Sequence, residues 1–326
     1  MIRWGIIGCV DVTEIKSGPG FQQAENSSLV AVMRRDAAKA ADYARRHNVP
    51  RWYASADQLL ADPDVDAVSI ATPPSSHYEL ALMAAAAGKP TLVEKPMAIN
   101  HDHCRRMIDA FAAARVPLFV AYYRRALPKF LKVKELFESG AIGRPIAVQV
   151  THCTQPARYE PHQLPWRFRP EISGGGLFVD LGAHTLDLLD FYFGPIVDVW
   201  GRADRFGENY SVEDAVVMAF RHNSGVQGVA RWHFTANRHM DRVEIEGAAG
   251  TISFPTFGHD PVLLVNRSGA QSFDIRHPAA IQQPLIQTIV DQLENRGQCP
   301  STGESAARTT WVMDQVLRPY YKRTKF

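Results

Sequence analysis

Cysteine is sparse in this sequence. Its four cysteines, Cys9, Cys104, Cys153 and Cys299, lie far apart and form no C-x-x-C pair. That speaks against a disulfide frame or a thiolate zinc site and for reduced thiols in a cytoplasm. No apolar run approaches the length that spans a bilayer, and the first residues lack the pattern of a secretory leader, so neither a membrane partner nor export is expected. Excess charge is missing as well. A net charge of +2 over 326 residues gives no general attraction to nucleic acid or to a membrane surface. Arginine pairs recur at Arg34-Arg35, Arg45-Arg46, Arg105-Arg106 and Arg124-Arg125, but scattered among acids they read mostly as solvated helix faces. Internal repeats and low-complexity linkers are absent.

One further absence is local. In "IRWGIIGCVDVT", residues 2–13, an apolar strand runs into Gly8 and a helix follows, as at the start of a dinucleotide-binding domain. The second glycine of the G-x-G-x-x-G/A pattern is missing, and Val10 stands in its place. A Cβ with two methyls there crowds a phosphate and resists a positive φ. The expected cost is about 1–3 kcal/mol of cofactor affinity, enough to weaken binding without abolishing it.

What is present is a rhythm. Apolar segments at 2–7, 29–33, 67–71, 91–93 and 118–121 alternate with helix-like stretches at 37–47, 76–87 and 101–114. Continuous apolar strands separated by helices predict a parallel sheet covered on both faces. Right-handed crossovers make it a doubly wound, Rossmann-type α/β domain over residues 1–122. Past a helix-like stretch at 129–138 and the turn-rich "SGAIGRP", strands such as "IAVQVTH", "AVVMAFRH", "VQGVARWHF", "DRVEIEG" and "GTISF" alternate apolar and polar residues. Residues 123–326 are therefore expected to form an α+β domain on a large, mostly antiparallel open sheet. Helices would cover one face and the other would meet a second subunit.

Five constellations carry chemistry. The loop Gly8, Cys9, Val10, Asp11 and Val12 offers backbone amides and a helix N-terminus to a pyrophosphate. At the end of the second strand, "VMRRD" puts Arg34 where a ribose-binding acid would stand, with Arg35 beside it. Guanidinium forks suit a 2′-phosphate and predict NADP, whereas Asp36, the competing acid, would favour NAD. The stretch "ATPPSSH", 71–77, leaves the carboxyl end of a strand, where ligands bind in open α/β sheets. Thr72 and Pro73 are expected to line the cofactor there. His77 is a cofactor-side candidate capping the next helix, with a purely structural role as the plain alternative. "LVEKP", 92–96, brings Glu94 and Lys95 to the next such edge, where a lysine can stabilise alkoxide charge. Finally, "GGGLFVDLGAHTLDLLD", 174–190, sets Asp180 and His184 at i and i+4 of a helix. At that spacing a carboxylate can orient an imidazole that moves a proton near neutral pH. A partly buried structural pair is the alternative. A third ligand is missing, so no metal is expected.

With these motifs in this order, the sequence resembles the glucose–fructose oxidoreductase / inositol dehydrogenase / rhizopine-catabolism family of NAD(P)-dependent oxidoreductases over nearly its whole length. The resemblance implies a Rossmann domain followed by an α/β domain whose open sheet serves oligomerisation, here as a homodimer or homotetramer. It implies a cis bond before Pro96, the residue type at which such a bond is affordable. It also implies Lys95 and His184 at the reacting centre with Asp180 in support: His184 takes or gives the hydroxyl proton and Lys95 binds the same oxygen. The implied substrates are sugars, polyols or related hydroxy and keto compounds. The long segment "CTQPARYEPHQLPWRFRPEIS" has the look of a functional loop. Tyr122, Tyr123, Tyr159, Trp166, Arg167 and His233 are candidate substrate-wall residues beside Asp180 and His184. The leading reading is an NADP-preferring dehydrogenase or reductase, with NAD as the second choice. A non-catalytic dinucleotide-binding or ligand-sensing regulator of the same fold, suggested by Val10, stays open.

Overall fold

The central strands of the first sheet are too apolar to face water on either side. In the computed structural model, whose described residues are 1–156 and 164–322, the strands of this sheet are β1 (Ile2–Ile7), β2 (Ser27–Met33), β3 (Arg51–Tyr53), β4 (Ala67–Ile70), β5 (Thr91–Val93) and β6 (Leu118–Val120). They form one parallel sheet in the order β3-β2-β1-β4-β5-β6. Trp4, Ile6, Val32, Val68, Ile70 and Val93 are sealed from solvent within it. The order reverses between β1 and β4, which places a crevice at the carboxyl ends of those two strands. Helices Ala37–Arg46, His77–Ala86 and His101–Ala114 connect the strands. Two have side-chain caps: Asp36 accepts from Lys39 N at 3.2 Å and Asn100 from His103 N at 2.8 Å. β3 has only three residues of mixed burial, so it left no apolar run to read in the sequence.

The second sheet has eight strands: β7 (Pro145–Cys153), β8 (Ile196–Asp204), β9 (Ala215–His222), β10 (Gln227–His233), β11 (Met240–Gly247), β12 (Gly250–Phe254), β13 (Val262–Asn266) and β14 (Gly269–Phe273). Their order is β14-β13-β12-β11-β7-β10-β9-β8, with β7 and β10 parallel and every other pair antiparallel. The alternation in sequence becomes alternation in burial. Ala230, Trp232, Val243, Ile245 and Ile252 are buried on one face, while Trp200, Val217 and Val229 stand exposed. Register places Trp200 beside Ala219, Ala219 beside Val229, and Val229 beside Gln149, a row crossing four strands of the open face.

The chain groups into two compact units, Met1–Leu127 with Pro278–Ala307, and Pro128–His277 with Arg308–Phe326. The division expected from sequence was contiguous, 1–122 and 123–326. The return of residues 278–307 to the first unit rests on long-range bonds: Glu25 N donates to Gln287 Oε1 at 2.7 Å, and Ser301 Oγ to the Val120 carbonyl at 2.6 Å. Among the described residues, no helix is long and apolar enough to cross a membrane.

Candidate active site

In the first unit, the turns at the carboxyl edge are tied to one another. Gly8 follows β1 with φ +91°, and a Cβ there would meet Thr72 Cγ2 at 2.5 Å. Only glycine lets the turns after β1 and β4 approach so closely. Arg34, after β2, donates from Nη1 to the Cys9 carbonyl at 3.3 Å. Buried His77 spans the turns after β4 and β5, with Nε2 2.7 Å from the Thr72 carbonyl and Nδ1 3.0 Å from that of Pro96. Burial pushes its imidazole toward the neutral form. His77 is the first residue of its helix, whose N-cap, Ser76, makes no side-chain cap; Ser76 Oγ instead donates to Thr72 Oγ1 at 2.8 Å. Thr72 and Pro73 are half-buried at this edge. The bond between Lys95 and Pro96 is cis, as the resemblance implies.

The positive φ that would strain Val10 is not there. Val10 is not among the residues with positive φ. Its carbonyl opens the following helix, accepting from Thr13 N at 2.8 Å and Thr13 Oγ1 at 2.7 Å. Exposed Asp11 and half-buried Val12 complete the first turn, where amides lack intrahelical acceptors. Thus a naked glycine, a helix start and an arginine lie along one edge, a donor set that fits a dinucleotide phosphate. Cys9 is sealed behind the loop, and burial pushes its thiol up to about 11. Glu94 is also buried, which raises its pKa. It accepts from Gln282 Nε2 at 2.8 Å and from Lys95 N at 3.3 Å, so Gln282, unforeseen in the sequence, braces the turn carrying half-buried Lys95. Arg35 and Asp36 are exposed. Tyr122 and Tyr123, the wall candidates of this unit, are buried, with Arg124 Nη1 3.2 Å from the Tyr123 hydroxyl.

In the second unit, the triple glycine threads past a buried acid. Gly176 N donates to Glu213 Oε1 at 2.7 Å, and a Cβ on Gly176 would run into the Glu213 carbonyl. The Tyr321 hydroxyl bonds the other carboxylate oxygen. Asp180 and His184 were expected on one face of a regular helix. Asp180 instead lies in a wide π turn, Phe178–Gly182, and the α-helix starts afterwards as Ala183–Phe193. The larger turn changes the angle between i and i+4 from its α value. Arg167 Nε bonds Asp180 Oδ2 at 3.0 Å, and its guanidinium lies 4.5 Å over the Trp166 ring. His184 is buried and meets the Phe257 ring edge-on, with centroids 5.9 Å apart. Half-buried His233 ends β10; Tyr159 lies outside the described residues. Glu213, Asp241, His152 and Phe257 were not found by sequence reasoning. None belongs to a local motif, and only the pairing of distant strands brings them here.

Comparison with known proteins agrees with this geometry. Residues 2–122 match the model of the oxidoreductase family with an NAD-binding Rossmann fold, and residues 130–253 match the GFO/IDH/MocA C-terminal domain. An oxidoreductase of Formosa agariphila is 38% identical over 316 residues, covering 96% of this chain and 97% of the relative. The 1,5-anhydro-D-fructose reductase of Ensifer adhaerens is 30% identical over 312 residues, covering 93% and 92%. A solved levoglucosan dehydrogenase, in complex with NADH and levoglucosan, shares the fold with a TM-score of 0.87 at 23% identity, covering 98% and 97%. The chain belongs to the GFO/IDH/MocA oxidoreductase family. It is an enzyme, an oxidoreductase with an NAD-binding Rossmann domain.

Proposed function

We propose that the enzyme is a dehydrogenase or reductase for a sugar, polyol or related hydroxy or keto compound, with NADP preferred over NAD. The observation that carries the preference is Arg34, anchored on the Cys9 carbonyl at the glycine loop while Asp36 is taken up as a helix cap. Exposed Arg35 adds a second guanidinium. The names of the Ensifer and levoglucosan relatives support a polyhydroxylated substrate. When bound, the nicotinamide supplies the hydride acceptor or donor. Lys95 binds the reacting oxygen and offsets its developing negative charge. His184 takes or gives the hydroxyl proton, and Asp180 supports it. Trp166 and Arg167 line the substrate. Four buried cysteines, none of them in a disulfide, fit a cytoplasmic setting. The apolar outer row of the second sheet supports a homodimer or homotetramer formed through that face.

Titration with NADPH and with NADH, followed by nicotinamide fluorescence, tests the cofactor reading. NADPH should bind more tightly, and Arg34→Ala should erase roughly tenfold or more of that preference. Equal or tighter binding of NADH by the native protein overturns it. Screening with sugars and polyols then supplies a turnover assay, in which Lys95→Met and His184→Ala should each lower kcat by roughly a hundred- to ten-thousandfold. Unchanged turnover in either variant removes that residue's role.

A further inference from the structure

We propose that Asp241 is a positioning residue for His184, acting through the loop that carries Phe257; the proposal rests on the acid/base reading of His184 given above. The chain leaves β12 at Phe254 and turns immediately. Asp241, in β11, accepts the amides of three consecutive residues of that turn: Thr256 at 3.0 Å on Oδ1, and Phe257 at 2.6 Å and Gly258 at 2.8 Å on Oδ2. Burial acts to raise the pKa of this carboxyl, but the contact with His152 and the three amides outweigh it, and Asp241 is held below the usual carboxylate range. From the other side Lys129, 2% exposed in the helix Pro128–Glu138, donates to the carbonyls of Gly258 at 3.0 Å and Asp260 at 2.8 Å. Thr256 Oγ1 lies 3.1 Å from Thr185 Oγ1, so the loop is also fastened to the residue that follows His184.

Phe257 stands in the middle of this frame. Its ring meets that of His184 at 79° and that of His152 at 57°, with centroids 5.9 and 5.1 Å away. His152 Nδ1 is 3.6 Å from Asp241 Oδ1, just beyond hydrogen-bond distance. A strand-to-strand connection does not need a buried carboxylate and a buried ammonium to hold it, since loop backbone is ordinarily solvated, and buried charges are costly. What these two groups fix is the position of the aromatic edge beside His184. That edge excludes water from one side of the imidazole and limits its rotation. A proton-transfer group that is slightly misplaced loses rate steeply.

The test is histidine-selective 15N and 13C NMR on the full chain, with His184 assigned by its disappearance in His184→Gln, alongside steady-state kinetics and NADPH titration. Asp241→Asn turns an amide NH2 toward backbone donors, and Phe257→Leu removes the ring while leaving both buried charges. In both variants the His184 resonances should shift or broaden, and kcat should fall roughly ten- to hundredfold with NADPH affinity unchanged. Folded variants with unmoved His184 resonances overturn the proposal. Moved resonances, together with full turnover in His184→Gln, leave the positioning in place and remove the acid/base reading instead. Should Asp241→Asn fail to fold, Phe257→Leu decides by the same two measurements.

Discussion

Glu14 shows how a single side chain ties the glycine loop to its surroundings. It lies in the helix that follows Val10, and Arg46 grips it with both terminal nitrogens, at 2.8 and 2.6 Å, while His47 Nε2 lies 2.6 Å away. The hydrogen bonds from Arg46, ahead of the His47 contact, hold its carboxyl down at about 2. A depressed folded-state pKa stabilises the fold above the unfolded value near 4.5, and that contribution is lost as pH falls toward 2. Glu14→Gln should therefore lower the melting temperature at neutral pH, and the difference from the native protein should shrink below pH 4. With the side chain about 30% exposed, screening limits the effect to the order of 1 kcal/mol. Val10 invites a second measurement. Because its φ is not positive, Val10→Gly should leave the melting temperature level or slightly lower; tighter NADPH binding in the variant would locate the cost of the valine in the phosphate contact alone.

At the scale of elements, two wide turns matter most. Thr13–Ser17 and Phe178–Gly182 are π turns placed just after the glycine loop and just after the triple glycine. Wide turns of this kind concentrate where function bends a helix. The glycines were readable as punctuation, but the reason for them was not. At Gly176 the reason is Glu213, whose carbonyl would collide with a Cβ. Gly176→Ala should cost about 1–3 kcal/mol, as overpacking does, and should displace the turn carrying Asp180. Thermal unfolding and turnover measured together would check both. The helices read at 37–47, 76–87, 101–114 and 129–138 lie within a residue or so of their observed bounds, because apolar periodicity and caps are local, whereas Gln283–Leu293 and Gly303–Tyr321 were not read. The π character of these turns was not legible, since no local pattern marks it; the turn at Phe178 packs on Trp232 of β10, with centroids 4.9 Å apart.

For the molecule as a whole, the open sheet face raises the question of assembly. Trp200 is 72% exposed in the row it shares with Val229, and contiguous exposed apolar surface is characteristic of an interface. Trp200→Glu should shift the protein toward monomer in sedimentation velocity, with cofactor affinity retained. A native protein that sediments as a monomer at every concentration would rule out assembly through this face.

The sequence by itself determined the two sheet types and the domain that binds the dinucleotide. Periodicity of hydrophobicity, glycine placement and strand-end motifs are properties of neighbouring residues, and neighbours suffice to read them. It also brought out Lys95, Asp180 and His184, the side chains proposed above to carry the chemistry. Only the tertiary structure decided that Arg34 anchors on the Cys9 carbonyl, that residues 278–307 rejoin the first unit, and that Glu213, Asp241 and Lys129 hold the turns around Asp180 and His184. Each of those facts is a contact between residues tens to hundreds of positions apart. Which distant backbone amide a buried charge will meet is set by strand register and by how the layers close, and no local pattern encodes it.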